Sequence, residues 1–252
     1  MTKKVQKQKT RIALIDLARG IALISMAIFH FNFDLELFRL VDHGYISQFH
    51  WVMFARIIAA SFLILVGFSL MLSSVNGMNW PSFWVRQLKV TVAALIITIA
   101  TFYAIPSGYI FFGILHQIAL ASLLGLLFLR LPWGVVVAFA LFFLLARDQM
   151  RSELIDAPWW WWSGLSQSVP PTSDYEPVFP WFGWVLVGIA MAKICINRNW
   201  LSRLADVKFE HPKTLAPLAK FMQLLGRNSL VFYLVHQPIM IGLLYVYLQI
   251  TA

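Results

Sequence analysis

Seven stretches of about 20 mainly apolar residues fill most of this chain, and they constrain its fold more than any other feature. A helix of that length crosses the roughly 30 Å hydrocarbon layer of a bilayer. The stretches run over 12–33, 51–74, 84–104, 109–129, 132–147, 179–196 and 229–250. Pro81 precedes the third, Pro106 and Gly108 separate the third from the fourth, and Pro132 opens the fifth, which is the shortest. Of 252 residues, 60% are hydrophobic and 12% charged, whereas soluble domains carry roughly 45–50% and 25%. The 11 Trp suit helix ends in the headgroup layer. The expected fold is an all-α integral membrane protein, a polytopic bundle of about seven transmembrane helices forming one domain over 1–252, with the lipid bilayer as its first partner.

The net charge of +9 points to orientation and not to nucleic acid, because the basic residues sit in short segments between apolar runs. Arg39, Arg147 and Arg151 fall in loops on one side, and Arg19 and Arg56 fall within membrane stretches. The other fifteen of the 20 Lys and Arg lie on the opposite side, which the positive-inside rule makes cytoplasmic. The N-terminus, with its basic leader over 1–11, is expected inside and the C-terminus outside. The first apolar run exceeds 20 residues and has no small-x-small cleavage pattern, so it reads as a retained helix. The long loop 148–178 holds Asp148, Glu153, Asp156, Asp174 and Glu176 and is assigned outside, while 197–228 reads as a basic amphipathic segment on the inner surface. Cys195 is the single cysteine, so no intramolecular disulfide can form.

Ionisable residues inside a spanning helix are costly and usually face the bundle interior or a wet cavity. The first helix carries four, the last of them just past the apolar stretch. With Asp16 at zero, Arg19 falls at about 300°, His30 at about 320° and Asp34 close to zero again, so all four share one stripe. Asp16 and Arg19 lie at the inner mouth, able to pair or to meet a phosphate. His30 and Asp34 lie about 21 Å away at the outer mouth, where the carboxylate could orient the imidazole as a general base. An Asp–Arg pair can equally lock helices together. Arg56 could neutralise Asp34 or extend to the surface. His116 with Gln117 and His236 with Gln237 add polar groups in mid-bundle, where ordinary interhelical hydrogen bonds also account for them.

The row Trp159 to Trp162 fits an interfacial anchor better than a sugar-stacking platform. Metal-ligand spacing, a Gly-rich phosphate loop and a Ser nucleophile elbow are all missing, so no metal is expected.

The run RIALIDLARGIALISMAIFHFNFDL at 11–35 resembles the opening of membrane acyltransferases typified by the heparan-α-glucosaminide N-acetyltransferase catalytic-domain family, especially its bacterial branch. FLILVGFSLML at 62–72, IFFGILHQIALASLL at 110–124, DYEPVFPWFGWVLVGIA at 174–190 and LGRNSLVFYLVHQPI at 225–239 resemble later parts of the same family in the same order. The resemblance implies a multi-pass enzyme of the bacterial inner membrane, with the 148–178 loop periplasmic. Its co-substrate would be acyl-CoA, with acetyl-CoA the expected donor, and its acceptor an extracytoplasmic glycan or sugar. A homodimer is compatible with this.

Under that resemblance the catalytic candidates are His30, Asp34 and His43, and the residues expected to hold the co-substrate are Asp16, Arg19, His116, Gln117, Asn228 and His236. Lysosomal members resemble this chain less at His30, where they carry Asn and use a His of the following outer loop; that loop here offers His43 and His50. Acyltransferases of cell-surface polysaccharides resemble it in having a His at the end of the first helix. A transporter or flippase-like protein with a polar intramembrane path is the alternative, although inverted repeats and paired broken helices are not seen. A purely structural membrane subunit is the third reading.

Overall fold

The computed structural model describes residues 12–169, 171–207 and 215–251, and the basic leader over 1–11 lies outside them. The described chain is mainly helical, with loops over 38–48, 151–169 and 171–177 and one isolated bridge between Phe112 and Tyr175. Long helices form at α1 (Ala13–Leu37), α2 (Phe49–Ser74) and α3 (Trp80–Ala104), followed by the shorter α4 (Ile114–Gly125) and α5 (Trp133–Leu145). The four-residue α6 (Arg147–Met150) opens the long loop, and α7 (Val178–Asn197) closes it. Two short helices, α8 (Trp200–Ala205) and α9 (Ala216–Arg227), lead into α10 (Ser229–Thr251). Five of these, α1, α2, α3, α7 and α10, are long and apolar enough to cross a membrane.

Five of the seven expected stretches thus become full-length spans, and the fourth and fifth become shorter apolar helices. The fourth is cut short because 109–113 leaves the helix to dock the long loop. The Ser173 N–H donates to the Gly108 carbonyl at 2.9 Å and the Glu176 N–H to the Phe112 carbonyl at 3.1 Å. Irregular backbone at this depth is tolerated because its polar groups find such partners. The fifth begins where Pro132 forces an extended residue ahead of Trp133. Asn79 caps α3, its side-chain oxygen accepting from the Ser82 N–H at 3.1 Å, with Pro81 in the first turn.

Glycines set the closest helix crossings. A Cβ on Gly67 of α2 would strike the Val185 carbonyl of α7, and one on Gly188 of α7 would strike the Ile64 carbonyl of α2. The two helices therefore meet backbone to backbone, as small residues permit in a membrane. Around that seam Leu63, Leu70, Val136, Phe182, Val185, Leu186 and Ile189 form the best-buried core.

A second glycine pair joins α1 to α9: Gly20 abuts the Met222 carbonyl and Gly226 abuts the Asp16 carbonyl. Helix α9 docks on α1 through this contact and leaves Leu218, Phe221 and Leu224 exposed. The segment 208–214, which includes Lys208 and Lys213 of the basic inner stretch, lies outside the described residues. On α3 the apolar residues Leu88, Val92, Leu95 and Ile99 face outward, as do Val231, Ile239, Leu243 and Val246 of α10, the pattern of a lipid-facing surface.

Candidate active site

The α1 stripe lies inside the bundle, and each of its ends meets the C-terminal region. At one end the Asp16 carboxylate, only 3% exposed, sits 3.5 Å from Arg19 and 3.4 Å from Arg227. Arg19 also donates to the Ser69 hydroxyl at 3.1 Å and to the Gly226 carbonyl at 3.4 Å. The close approach of Gly226 to α1 is what brings Arg227 to Asp16.

Beside this cluster opens a cavity of about 850 Å³. Its mouth carries Arg19, Arg86, Lys89 and Arg227 together with Asn228 and Ser229, where the first turn of α10 adds its own positive end. Its deeper wall is apolar, formed by Leu23, Phe62, Val66, Ile114, Leu115 and Ile118, with Tyr233 among them. Gln117, on α4 with Ile114 and Ile118 but outside the cavity lining, is fully buried, and neither of its amide atoms has a hydrogen-bond partner among the described residues. An amide left in that condition costs about 1–3 kcal/mol unless something binds it.

His116, beside Gln117, is already committed. The Thr98 hydroxyl donates to the Ile110 carbonyl at 2.7 Å, so at the 3.1 Å contact the His116 Nε2–H must donate to Thr98; Nδ1 accepts the Gly113 N–H at 3.3 Å. Both ring nitrogens thus hold the start of α4. Asn228 donates to the Leu224 carbonyl at 3.0 Å while lining the cavity mouth.

At the other end of the stripe, two pairs from distant sequence meet. The His30 and His236 rings lie 5.1 Å apart, and the Gln237 amide donates to Asp34 Oδ1 at 3.3 Å. Asp34 is fully buried, and its Oδ2 has no hydrogen-bond partner among the described residues. Asp34 therefore holds Gln237, and no hydrogen bond joins it to His30. The spacing four apart on α1 made that bond plausible, but a residue on α10 took the place.

His43 stands apart. Its side chain is fully exposed and touches Glu36 at 3.3 Å, and Glu36 is tied to the same loop by the N–H groups of Gly44 and Ile46, both at 2.8 Å. It makes no ring contact or hydrogen bond with His30 or His236 among the described residues. The His50 ring lies tilted against Trp51, with centroids 5.4 Å apart.

The loop before α7 adds groups that sequence reading had placed only in the loop. Asp174 accepts the Ile114 N–H at 2.9 Å, and burial pushes its carboxyl up to about 6. Glu176 is raised well above the usual carboxylate range, by burial first and then by Asp174, with Arg56 opposing. Arg56 thus acts on Glu176. Tyr233 lies within electrostatic reach of both carboxylates, with its ring 5.8 Å from His236. Tyr233, Arg86, Lys89 and Arg227 were missed as site residues. Placing Tyr233 three before His236, on one face of α10, was the available signal.

The raised Asp174 sets a pH dependence. Its folded form binds the proton more tightly than the unfolded chain does, so its contribution to stability is complete below about 4 and is lost as pH rises through about 6. Asp174→Asn, which can still accept the Ile114 N–H, is expected to flatten thermal stability between pH 4 and 6 in detergent. An unchanged slope would exclude Asp174 as its source.

A lipid-exposed helical bundle with a buried polar stripe and a cation-lined cavity defines an integral membrane protein with an internal site. The chain belongs to the family described as heparan-alpha-glucosaminide N-acetyltransferase, catalytic, whose family model matches residues 11–238. The family makes its activity of the membrane acetyltransferase type. No curated protein and no solved structure matches the chain. Among the described residues no group of three or more His, Cys, Asp or Glu is arranged to hold a metal.

Proposed function

We propose that the protein takes an acyl group, acetyl first, from acyl-CoA on the cytoplasmic side of a bacterial plasma membrane and transfers it to a hydroxyl or amine of a glycan or other sugar-containing acceptor on the far side. The observation that carries this reading is the 850 Å³ cavity, cationic at its mouth and apolar at its depth. Arg19, Arg86, Lys89 and Arg227 suit the phosphates of coenzyme A, since guanidinium and ammonium groups make charge-assisted hydrogen bonds to phosphate oxygens. The apolar throat suits the pantetheine arm, and the unpaired amide of Gln117, buried behind the Ile114–Ile118 wall, would meet the arm's amides once that wall shifts to admit it. Asp16 holds Arg19 and Arg227 in place. His30, half-buried, meets the reacting carbonyl as base or nucleophile, with Asp34 fixing the α1–α10 contact through Gln237.

The test is direct. Purified protein in lipid nanodiscs is incubated with radiolabelled acetyl-CoA, and binding and free thiol release are followed with and without amino- and hydroxyl-bearing sugars. Saturable binding with acceptor-stimulated release is expected. Absence of both with every donor, or uptake of intact substrate into proteoliposomes, would replace the reading with the transporter.

Gln117 yields a paired expectation. Gln117→Leu is expected to raise the melting temperature of the unliganded protein by removing an unpaired buried amide, and to raise KM for acetyl-CoA about fivefold or more by removing its partner. Thermal shift and steady-state kinetics on one preparation check both. A lower melting temperature with unchanged KM would assign Gln117 to packing.

A further inference from the structure

The histidine on α10 is fixed in one tautomer by its own helix. His236 Nδ1 lies 2.8 Å from the Tyr233 carbonyl oxygen and 3.2 Å from that of Phe232. A carbonyl can only accept, so Nδ1 must carry the hydrogen. In the neutral ring the other nitrogen, Nε2, is then a bare lone pair. That nitrogen is buried and has no hydrogen-bond partner among the described residues, in a residue 7% exposed. The ring is held on two further sides, stacked on Phe232 at 5.7 Å with an interplanar angle of 7° and against Tyr233 at 5.8 Å. It faces His30 at 5.1 Å, and Tyr233 lines the cavity. A lone pair with a defined direction, in a ring that cannot turn, and next to the histidine at the centre of the site, has the features of a general base.

We infer that His236, through Nε2, is the proton acceptor of the acyl transfer, a catalytic role distinct from holding the co-substrate; this rests on the acyltransferase reading above. The acceptor oxygen or nitrogen forms its bond to the thioester carbonyl carbon while its proton passes to His236 Nε2. The ring becomes an imidazolium whose Nδ1–H stays on the Tyr233 carbonyl. The carbon–sulfur bond then breaks, the electron pair leaves with sulfur, and the imidazolium returns the proton to give the free thiol of coenzyme A. The products are the acylated acceptor and coenzyme A, with no other reactant consumed. His30, which makes no hydrogen bond to a described residue, stays free to meet the acyl group itself.

The test separates a base from a packing residue. His236→Asn keeps a donor for the carbonyl four residues back, as Asn32 and Asn228 of this chain already do toward Ile28 and Leu224 at 2.8 and 3.0 Å, but it offers no basic nitrogen. His236→Ala opens space for added imidazole. Wild type and both variants are compared for acetyl-CoA binding, kcat, KM and the pH–rate profile with a sugar acceptor. Expected for His236→Asn are a kcat lower by about 10²–10⁴-fold, a KM for acetyl-CoA within about threefold of wild type, and loss of one limb of the pH–rate profile. Imidazole is expected to restore His236→Ala in proportion to its free-base fraction. A His236→Asn protein with wild-type kcat and pH profile overturns the inference while leaving the acyltransferase reading standing. A wild-type protein that neither binds acetyl-CoA nor releases thiol overturns both.

Discussion

A His30→Ala protein is expected to fold, to bind acetyl-CoA with nearly wild-type affinity, and to lose about 10²–10⁴-fold in turnover, as for a group that meets the reacting acyl carbonyl beside the base. The cavity that supplies binding is lined by Arg19, Arg86, Lys89 and Arg227, none of which touches the His30 ring, so affinity and turnover should separate. His43→Ala is the control. Its side chain is fully exposed and bonded only to Glu36 among the described residues, so it is expected to stay within about twofold of wild type. Single-turnover thiol release reads both. The opposite ranking would move the chemistry to the loop between α1 and α2 and make its histidine the reacting group.

Gly188→Val is expected to remove the folded protein altogether. The added Cβ would meet the Ile64 carbonyl and lie 2.9 Å from the Phe68 nitrogen, both of them backbone. No rotamer change relieves such a contact, so α2 and α7 must separate. Overpacking of this kind costs on the order of 3 kcal/mol or more, and the seam it opens is the best-buried part of the bundle. Gly242→Val on α10, where an added Cβ meets nothing within 4 Å, is the matched control. Size-exclusion profiles of the two variants after extraction should differ sharply, Gly188→Val in aggregate and Gly242→Val in the wild-type peak.

Hydropathy carried most of the architecture, because a spanning helix must be apolar along its whole length and that signal needs no tertiary knowledge. It overran at 109–113, where the residues are apolar but the backbone is spent on pairing with 173–176, a partner more than 60 residues away. Helical periodicity likewise found the α1 stripe, since all its members sit on one element. What it could not find was who faces whom. Asp34 with Gln237 and His30 with His236 are contacts across 200 residues, created by the packing of α10 on α1. Arg86, Lys89 and Arg227 were legible as orientation signals, and their second use as a cavity rim appears only when three helix ends converge. Gln117 and His116 looked alike in sequence. Among the described residues one is unpaired and the other bonded at both ring nitrogens, a difference made by Thr98 and Gly113.

The uneven burial of α10 carries one more consequence. Of its 23 residues only His236 and Leu244 are buried, and its packing on the bundle is concentrated in the first half, at Leu230, Phe232, Tyr233 and Leu234. At 1.5 Å per residue it extends about 35 Å, longer than an average hydrocarbon layer, and such a helix adjusts its tilt to membrane thickness. A change in that tilt is expected to alter the 5.1 Å separation between the two imidazoles, since one rides on α10 and the other on α1. On the function proposed above, turnover is therefore expected to vary with the acyl-chain length of the lipid in which the protein is reconstituted, and equal rates in thin and thick bilayers would show that the pair is set by the chain alone.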